Sequence, residues 1–163
     1  MPVIPEPYLR EVYDGLNDTE AGLLRQYLAQ SDDEIRRLET QLKVGPGELL
    51  PEARPDSFRR SWRESSKLKI DAVVERPSRI DIIELKDFGR TSFLGQLLMY
   101  RYWYEIEYDP DKPLQLRLVT PDINPSSVQP SRFHGVRLEI LSPEGRNHYR
   151  QGLEASPPFE GLQ

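Results

Sequence analysis

The chain has 163 residues, 37% hydrophobic and 30% charged, a mixture that excludes a fully disordered chain and suits one folded domain of the usual roughly 100–200 residues. No apolar run approaches the ~18 residues of a membrane span, and MPVIPEPYLREV lacks a basic start followed by an apolar stretch, so a soluble, non-exported, cytoplasmic protein without a membrane partner is expected. With no cysteine, disulfides, thiolate metal sites and a cysteine nucleophile are excluded. His134 and His148 stand at no metal-binding spacing and read as polar surface residues.

The net charge of −5 argues against nucleic-acid binding driven by the whole surface. The charge is uneven, however. The first forty residues hold nine acids against four arginines, which suits either plain solubility or a protein partner docked on acidic helices. Residues 54 to 69 reverse the sign: Arg54, Arg59, Arg60, Arg63, Lys67 and Lys69 face only Asp56 and Glu64. Arg59, Arg60, Arg63, Lys67 and Lys69 are therefore candidate phosphate contacts, although positive charge also keeps an exposed strand edge soluble.

In chain order, a short helix is expected to end near Gly15, and Asp18 or Thr19 then caps a second, with Leu23, Leu24, Tyr27 and Leu28 at helical spacing. Ser31-Asp-Asp-Glu34 reads as a capping box that restarts or kinks this helix. Leu28, Ile35, Leu38 and Leu42 continue its apolar stripe until Gly45-Pro46-Gly47 stops it. Two heptads are too few for a coiled coil, so the stripe is expected to pack on the protein's own sheet. A proline-bearing linker covers 48 to 56. SFRRSWRES, KLKIDAVVERP and RIDIIELKDFG then read as three strands, with a hairpin at Pro77-Ser78. TSFLGQLLMYRYWYEIEY is a helix capped by Thr91 or Ser92 and stopped by Asp109-Pro110, PLQLRLVTP a strand, 121 to 135 irregular, and GVRLEIL a last strand. The expected class is α/β, a mixed sheet flanked by helices: a helical region at 1–47 packing on a core at 48–163 that ends in a C-terminal strand.

Successive strand side chains alternate faces, so Glu84 and Lys86 project together. Counting outward from the Pro77-Ser78 turn, Asp71 falls directly opposite Glu84, and cross-strand partners have Cβ atoms about 5 Å apart. Two facing carboxylates repel, and one lysine neutralises them only in part. A hard divalent ion such as Mg²⁺ or Mn²⁺ resolves this, because it binds one or two carboxylates, keeps waters and takes substrate phosphate. Asp71, Glu84 and the Leu85 carbonyl are its candidate ligands. Lys86 would steer or deprotonate the bound water and offset charge growing in the transition state of phosphodiester hydrolysis.

These residues resemble the PD-(D/E)XK nuclease superfamily, and its RecB-like branch in particular. The likeness lies in Ile70-Asp71, then Glu84-Leu85-Lys86 in an apolar strand, then Gln96-Leu-Leu-Met-Tyr100 in the next helix, the Q-x-x-x-Y element. It covers roughly residues 57 to 120. The resemblance implies a restriction-endonuclease-like core, metal binding by Asp71 and Glu84, a catalytic role for Lys86, and Gln96 and Tyr100 lining the site. It implies a deoxyribonuclease, exonuclease-like in character, acting in DNA repair, phage DNA processing or defence. A lone E-x-K triplet is common on solvated strand faces; the ordered combination carries the likeness. Some members add a helix carboxylate, but Glu20, Glu34 and Glu39 sit in a helix rich in acids for solubility and are not assigned. The alternative is a nuclease-fold binding module that no longer cuts and acts in a protein or protein–DNA complex.

Overall fold

The computed structural model describes residues 8, 9, 12–31 and 33–155. Helix α1 (Asp18–Gln30) begins at a capping box built by Asn17 and Glu20, each side chain accepting from the other's backbone N–H. Asn17, rather than Asp18 or Thr19, is therefore the cap. The helix ends at Ser31, whose N–H reaches the Leu28 carbonyl, so no capping box restarts it. The short helix expected before Gly15 falls partly outside the described residues; Asp14 and Gly15 form a turn.

The expected helical stripe through Leu38 and Leu42 is instead strand β1 (Arg37–Val44). A spacing of four fits one helical turn and two strand repeats equally, so the sequence alone does not separate helix from strand here. The boundary drawn at 47 thus separates β1 from strand β2 (Leu68–Glu75), with which it pairs antiparallel from Arg37↔Glu75 to Val44↔Leu68. A second correction falls between them. SFRRSWRES is not a strand but most of helix α2 (Asp56–Ser65). Its aromatics, Phe58 and Trp62, and its arginines, Arg59 and Arg63, recur every four residues, and Pro55-Asp56 supplies a helix start.

Strand β3 (Ile80–Leu85) follows the Pro77-Ser78 turn and pairs antiparallel with β2 in the register counted above, Ala72↔Ile83 to Glu75↔Ile80. Helix α3 (Ser92–Tyr108) runs from Thr91, which makes no side-chain cap bond, to Asp109, which ends it in a left-handed conformation. It returns the chain to strand β4 (Leu114–Thr120), parallel to β3. The stretch read as irregular contains a 3₁₀ turn (Pro125–Ser127) and the short helix α4 (Val128–Phe133). After β5 (Arg137–Ile140), parallel to β4, comes a helix missing from the sequence reading, α5 (Pro143–Glu154). It starts on Ser142, whose hydroxyl accepts from Gly145 N–H, with Pro143 in the first turn.

The architecture is α/β: a five-stranded mixed sheet in the order β1-β2-β3-β4-β5, with helices on both faces. It has the order helix, three antiparallel strands, helix, parallel strand that the restriction-endonuclease-like expectation required, with α2 inserted after β1. One core lies under α3, where Phe93, Leu97, Tyr100 and Tyr104 meet Val73, Ile82, Leu116 and Leu118. The other lies under α1, where Leu24, Tyr27 and Leu28 meet Val74, Ile83, Leu85 and Val119. Among the described residues no helix is long and apolar enough to cross a membrane.

At the beginning of β3, fully buried Asp81 is ringed by cations. Arg76 Nε donates at 2.7 Å and Arg79 Nε at 2.9 Å, while Arg117 Nε lies 3.0 Å away but off hydrogen-bond alignment, which leaves it without an acceptor. Arg76 is buried as completely and also donates to the Asp33 carbonyl, tying β3 to the segment after α1. Removing the shared anion strands buried positive charge, a loss that commonly costs about 3–5 kcal/mol. Asp81→Ala is accordingly expected to lower urea-unfolding stability by about that amount, whereas removing the exposed carboxylate of Glu64, which pairs with Lys67, should leave the unfolding midpoint nearly unchanged.

Candidate active site

The β2–β3 ladder closes at Ala72↔Ile83, so the next opposed positions, Asp71 and Glu84, lie where the two strands part. There the Leu85 N–H turns to the Asp71 carboxylate, with Oδ2 accepting at 2.9 Å, while Oδ1 accepts from Gln41 Nε2 at 3.0 Å. The β1 side is bent to allow this. Leu38 belongs to the core under α1 but Leu42 and Val44 to the core under α3, and likewise Ala72 and Ile70 on β2 fall on opposite sides. Alternation is thus broken at the Gln41/Asp71 level, without an inserted residue, since Thr40↔Ala72 and Leu42↔Ile70 keep one register. Gln41 carries the cost, with φ of +53°, a conformation worth roughly 1–3 kcal/mol of strain outside glycine. Gly15 accommodates it: a Cβ there would stand 2.5 Å from Gln41 Cγ.

Glu84 is only 1% exposed. Its Oε1 meets Lys86 Nζ at 2.8 Å, but its buried Oε2 has no hydrogen-bond partner. Burial, with the nearby Asp71 charge adding to it, lifts the Glu84 carboxyl from the ordinary 4.5 to about 7. Burial lifts Asp71 as well, against the Leu85 N–H that favours its charged form. For Lys86, burial opposes the charge, but Glu84, Asp71 and Glu20 outweigh it and raise its pKa. The lysine is therefore an ammonium at neutral pH, suited to stabilising charge rather than taking a proton. Tyr100, from α3, lies against Glu84, and burial together with the Glu84 and Asp71 charges holds its hydroxyl well above the usual range, hence neutral. Gln96, one turn earlier, has its buried Oε1 without a partner.

The strands and α3 thus bring together Asp71, Glu84, Lys86 and Tyr100, with the Leu85 backbone between the carboxylates. One contributor passed over in the sequence is Glu20, whose charge is felt at both Asp71 and Lys86. With Asn17, Thr19, Leu85, Lys86 and Asp87 it lines a hollow of about 280 Å³. The signal for it was its place in the first turn of the helix that covers the sheet. Neither this hollow nor the larger ones, about 620 Å³ against β5 and 580 Å³ beside α2, is lined by Asp71 or Glu84. His148 also has a partner unseen in the sequence: Asp122 Oδ1, at 2.7 Å from Nδ1.

The candidate basic residues lie on α2, just after it and at the start of β2. Arg59 pairs with Asp56 and Lys67 with Glu64, Arg63 Nε donates to the Pro46 carbonyl, and Arg60 is exposed on α2. Lys69, on β2, stands opposite Lys43 of β1.

Among the described residues, no group of three or more Asp, Glu and His donors is arranged to hold a metal. Two carboxylates with an orphaned, buried oxygen nevertheless fit a Mg²⁺-type ion, which takes one or two carboxylates and completes its shell with water.

No family model and no curated protein matches the sequence. Among solved structures the chain is similar to a repair endonuclease from Pyrococcus abyssi, with 15% identity and a TM-score of 0.44 over 82% of this chain and 50% of that one. The chain thus spans about half the length of that protein.

Because folding raises the Glu84 pKa, the folded state holds a proton that the unfolded state releases between pH 4.5 and about 7. Stability present below this window is lost as pH rises through it, by an amount on the order of 3 kcal/mol. In EDTA, Glu84→Gln should gain thermal stability relative to wild type between pH 5 and pH 8, by roughly 5–10 °C. Parallel melting curves at the two pH values would show the shift to be absent.

Proposed function

We propose that the protein is a metal-dependent nuclease that hydrolyses DNA phosphodiester bonds at the Asp71–Glu84–Lys86 cluster. The observation that carries this reading is the pairing of two buried carboxylates, one with an oxygen lacking any partner, beside a lysine kept protonated. A fold spends stability on such a group when function needs it. Asp71, Glu84 and the Leu85 carbonyl are the residues that would hold Mg²⁺ or Mn²⁺. When bound, the ion would supply an activated water and a clamp for phosphate oxygens. Asp71 is held for this by Leu85 N–H and Gln41, so that little reorganisation is needed.

The Lys86 ammonium offsets negative charge growing on the phosphoryl oxygens in the transition state. Tyr100, neutral and against Glu84, donates rather than accepts there, and Gln96 offers a further polar group from the same helix face. Arg59, Arg60, Arg63, Lys67 and Lys69 supply the phosphate-facing charge that the remaining, acidic surface does not. Exonuclease-like action and a place in repair, phage DNA processing or defence belong to the same proposal, as do a cytoplasmic location and a protein partner on the acidic N-terminal residues.

Two measurements test it. Isothermal titration with Mn²⁺ should show clear binding to wild type and at least about tenfold weaker binding to Asp71→Ala, one of its two carboxylates being gone; equal affinities would remove the metal site. Lys86→Ala should keep the fold and the Mn²⁺ affinity but lose about 100- to 1000-fold in cleavage rate, the usual effect of deleting one preorganised electrostatic donor. The substrates are linear and circular, single- and double-stranded DNA with each ion. Failure of wild type to cut any of them would leave the fold as a binding module.

A further inference from the structure

The connection between β1 and β2 leaves the sheet at the end where the carboxylates lie. Its closing pair, Val44↔Leu68, is three residues from Asp71, about 10 Å along the strand. The connection carries α2, and no residue of α2 is buried. A free helix of this length is marginal in water, yet its C-terminal half is pinned. Ser66 Oγ accepts from Glu48 N–H at 2.7 Å, Arg63 Nε donates to the Pro46 carbonyl at 3.0 Å, and Trp62 Nε1 donates to Glu48 at 3.2 Å. Gly47 is required at this junction, because a Cβ would fall 2.0 Å from the Arg63 carbonyl oxygen. The helix is therefore a preformed arm.

The arm presents two kinds of group. Phe58 and Trp62, four residues apart and so on one side, are 50% and 41% exposed, and the Arg54 guanidinium lies 5.9 Å from the Phe58 ring centre. The adjoining side carries Arg59, Arg60 and Arg63 along an open hollow of about 580 Å³, whose other charged lining is Glu48, Glu52 and Asp56. Exposed ring faces beside guanidinium groups match an unpaired strand, whose bases stack on aromatic rings while its phosphates meet cations. A duplex keeps its base faces stacked inside and can use only the cations. The local charge selects this occupant over an apolar protein surface: the connection, residues 45 to 67, holds Arg54, Arg59, Arg60, Arg63 and Lys67 against Glu48, Glu52, Asp56 and Glu64, a positive balance in a chain of net charge −5.

We propose that α2 is a stacking platform for single-stranded DNA, which delivers an unpaired end or flap to the carboxylate cluster. The proposal rests on the nuclease reading for what happens at that cluster, but the binding can be measured alone. In EDTA, where the metal-dependent cleavage proposed above is blocked, wild type should bind labelled dT₂₀ more tightly than a 20-base-pair duplex. The double substitution Phe58→Ala, Trp62→Ala should weaken dT₂₀ binding by at least about tenfold and duplex binding by less than about twofold. Circular dichroism checks the fold. As a second measurement, dT₂₀ should quench tryptophan emission of the wild type, and Trp62→Phe should remove most of that quenching. Equal losses on both ligands, no loss, or a wild type that prefers duplex would overturn the platform. So would sedimentation showing self-association that the same substitutions abolish. Selective dT₂₀ binding without cleavage in Mg²⁺ would retire the nuclease reading and keep the platform. Cleavage with unchanged dT₂₀ affinity in the double variant would do the reverse.

Discussion

Where β2 and β3 part after Ala72↔Ile83, the Leu85 amide has no main-chain acceptor on that side, and the Asp71 carboxylate takes it at 2.9 Å. A buried N–H left unpaired would cost roughly 1–3 kcal/mol, so the side chain substitutes for a strand. Much of the working end follows from this substitution. Asp71 must turn into the gap, its other oxygen is fixed by Gln41, and Gln41 reaches it only by adopting positive φ against Gly15. The local break in alternation sends Leu42, Val44 and Ile70 to the core under α3. The same bond that satisfies an amide thus fixes the Asp71 carboxylate at the level of Glu84.

Strand β3 carries two buried acids with opposite fates. Asp81, near its start, faces three arginines, and its charge is matched within the fold. Glu84, three residues on and across the sheet, has one lysine and an oxygen with nothing to bind. Desolvation alone does not distinguish them, since both are fully enclosed. The difference lies in who supplies the positive charge. Around Asp81 the protein supplies it and gains a rigid junction between β3, β4 and the segment after α1. Around Glu84 it supplies one lysine on one oxygen and leaves the other bare, and burial raises the carboxyl's pKa to about 7.

The β2–β3 hairpin and the pairing of Asp71 with Glu84 were legible because register in a two-residue turn is arithmetic, and because both strands are rich in Ile and Val. Helix α3 and β4 were legible from their stop signals. The misreadings have a common physical origin. Leu38 and Leu42 sit at a spacing shared by helix and strand, and only pairing with β2 decides between them. In α2 the aromatic residues suggested a strand, although their four-residue interval suits a helix that packs on nothing. Glu20 could not be singled out among nine acids, because its proximity to Lys86 arises from the way α1 crosses the sheet. Gln41 left no signal at all: its role depends on the twist at Asp71 and on a glycine 26 residues earlier in the chain.

An acidic protein that is to meet a polyanion must concentrate its attraction, because unscreened repulsion elsewhere opposes approach. The screening length near physiological salt is about 8 Å, so charges on the far side of the sheet contribute little at the carboxylate end. What matters there is the balance among groups close by. Around the carboxylates that balance is negative, with Asp71, Glu84 and Glu20 against Lys86. On the β1–β2 connection it is positive. The two regions therefore differ in sign: an anion is attracted to the connection and opposed at the carboxylates. The arginines of α2 stand on an inserted helix, whereas the buried Glu84 belongs to the sheet, so the cationic groups and the carboxylates are carried by different elements.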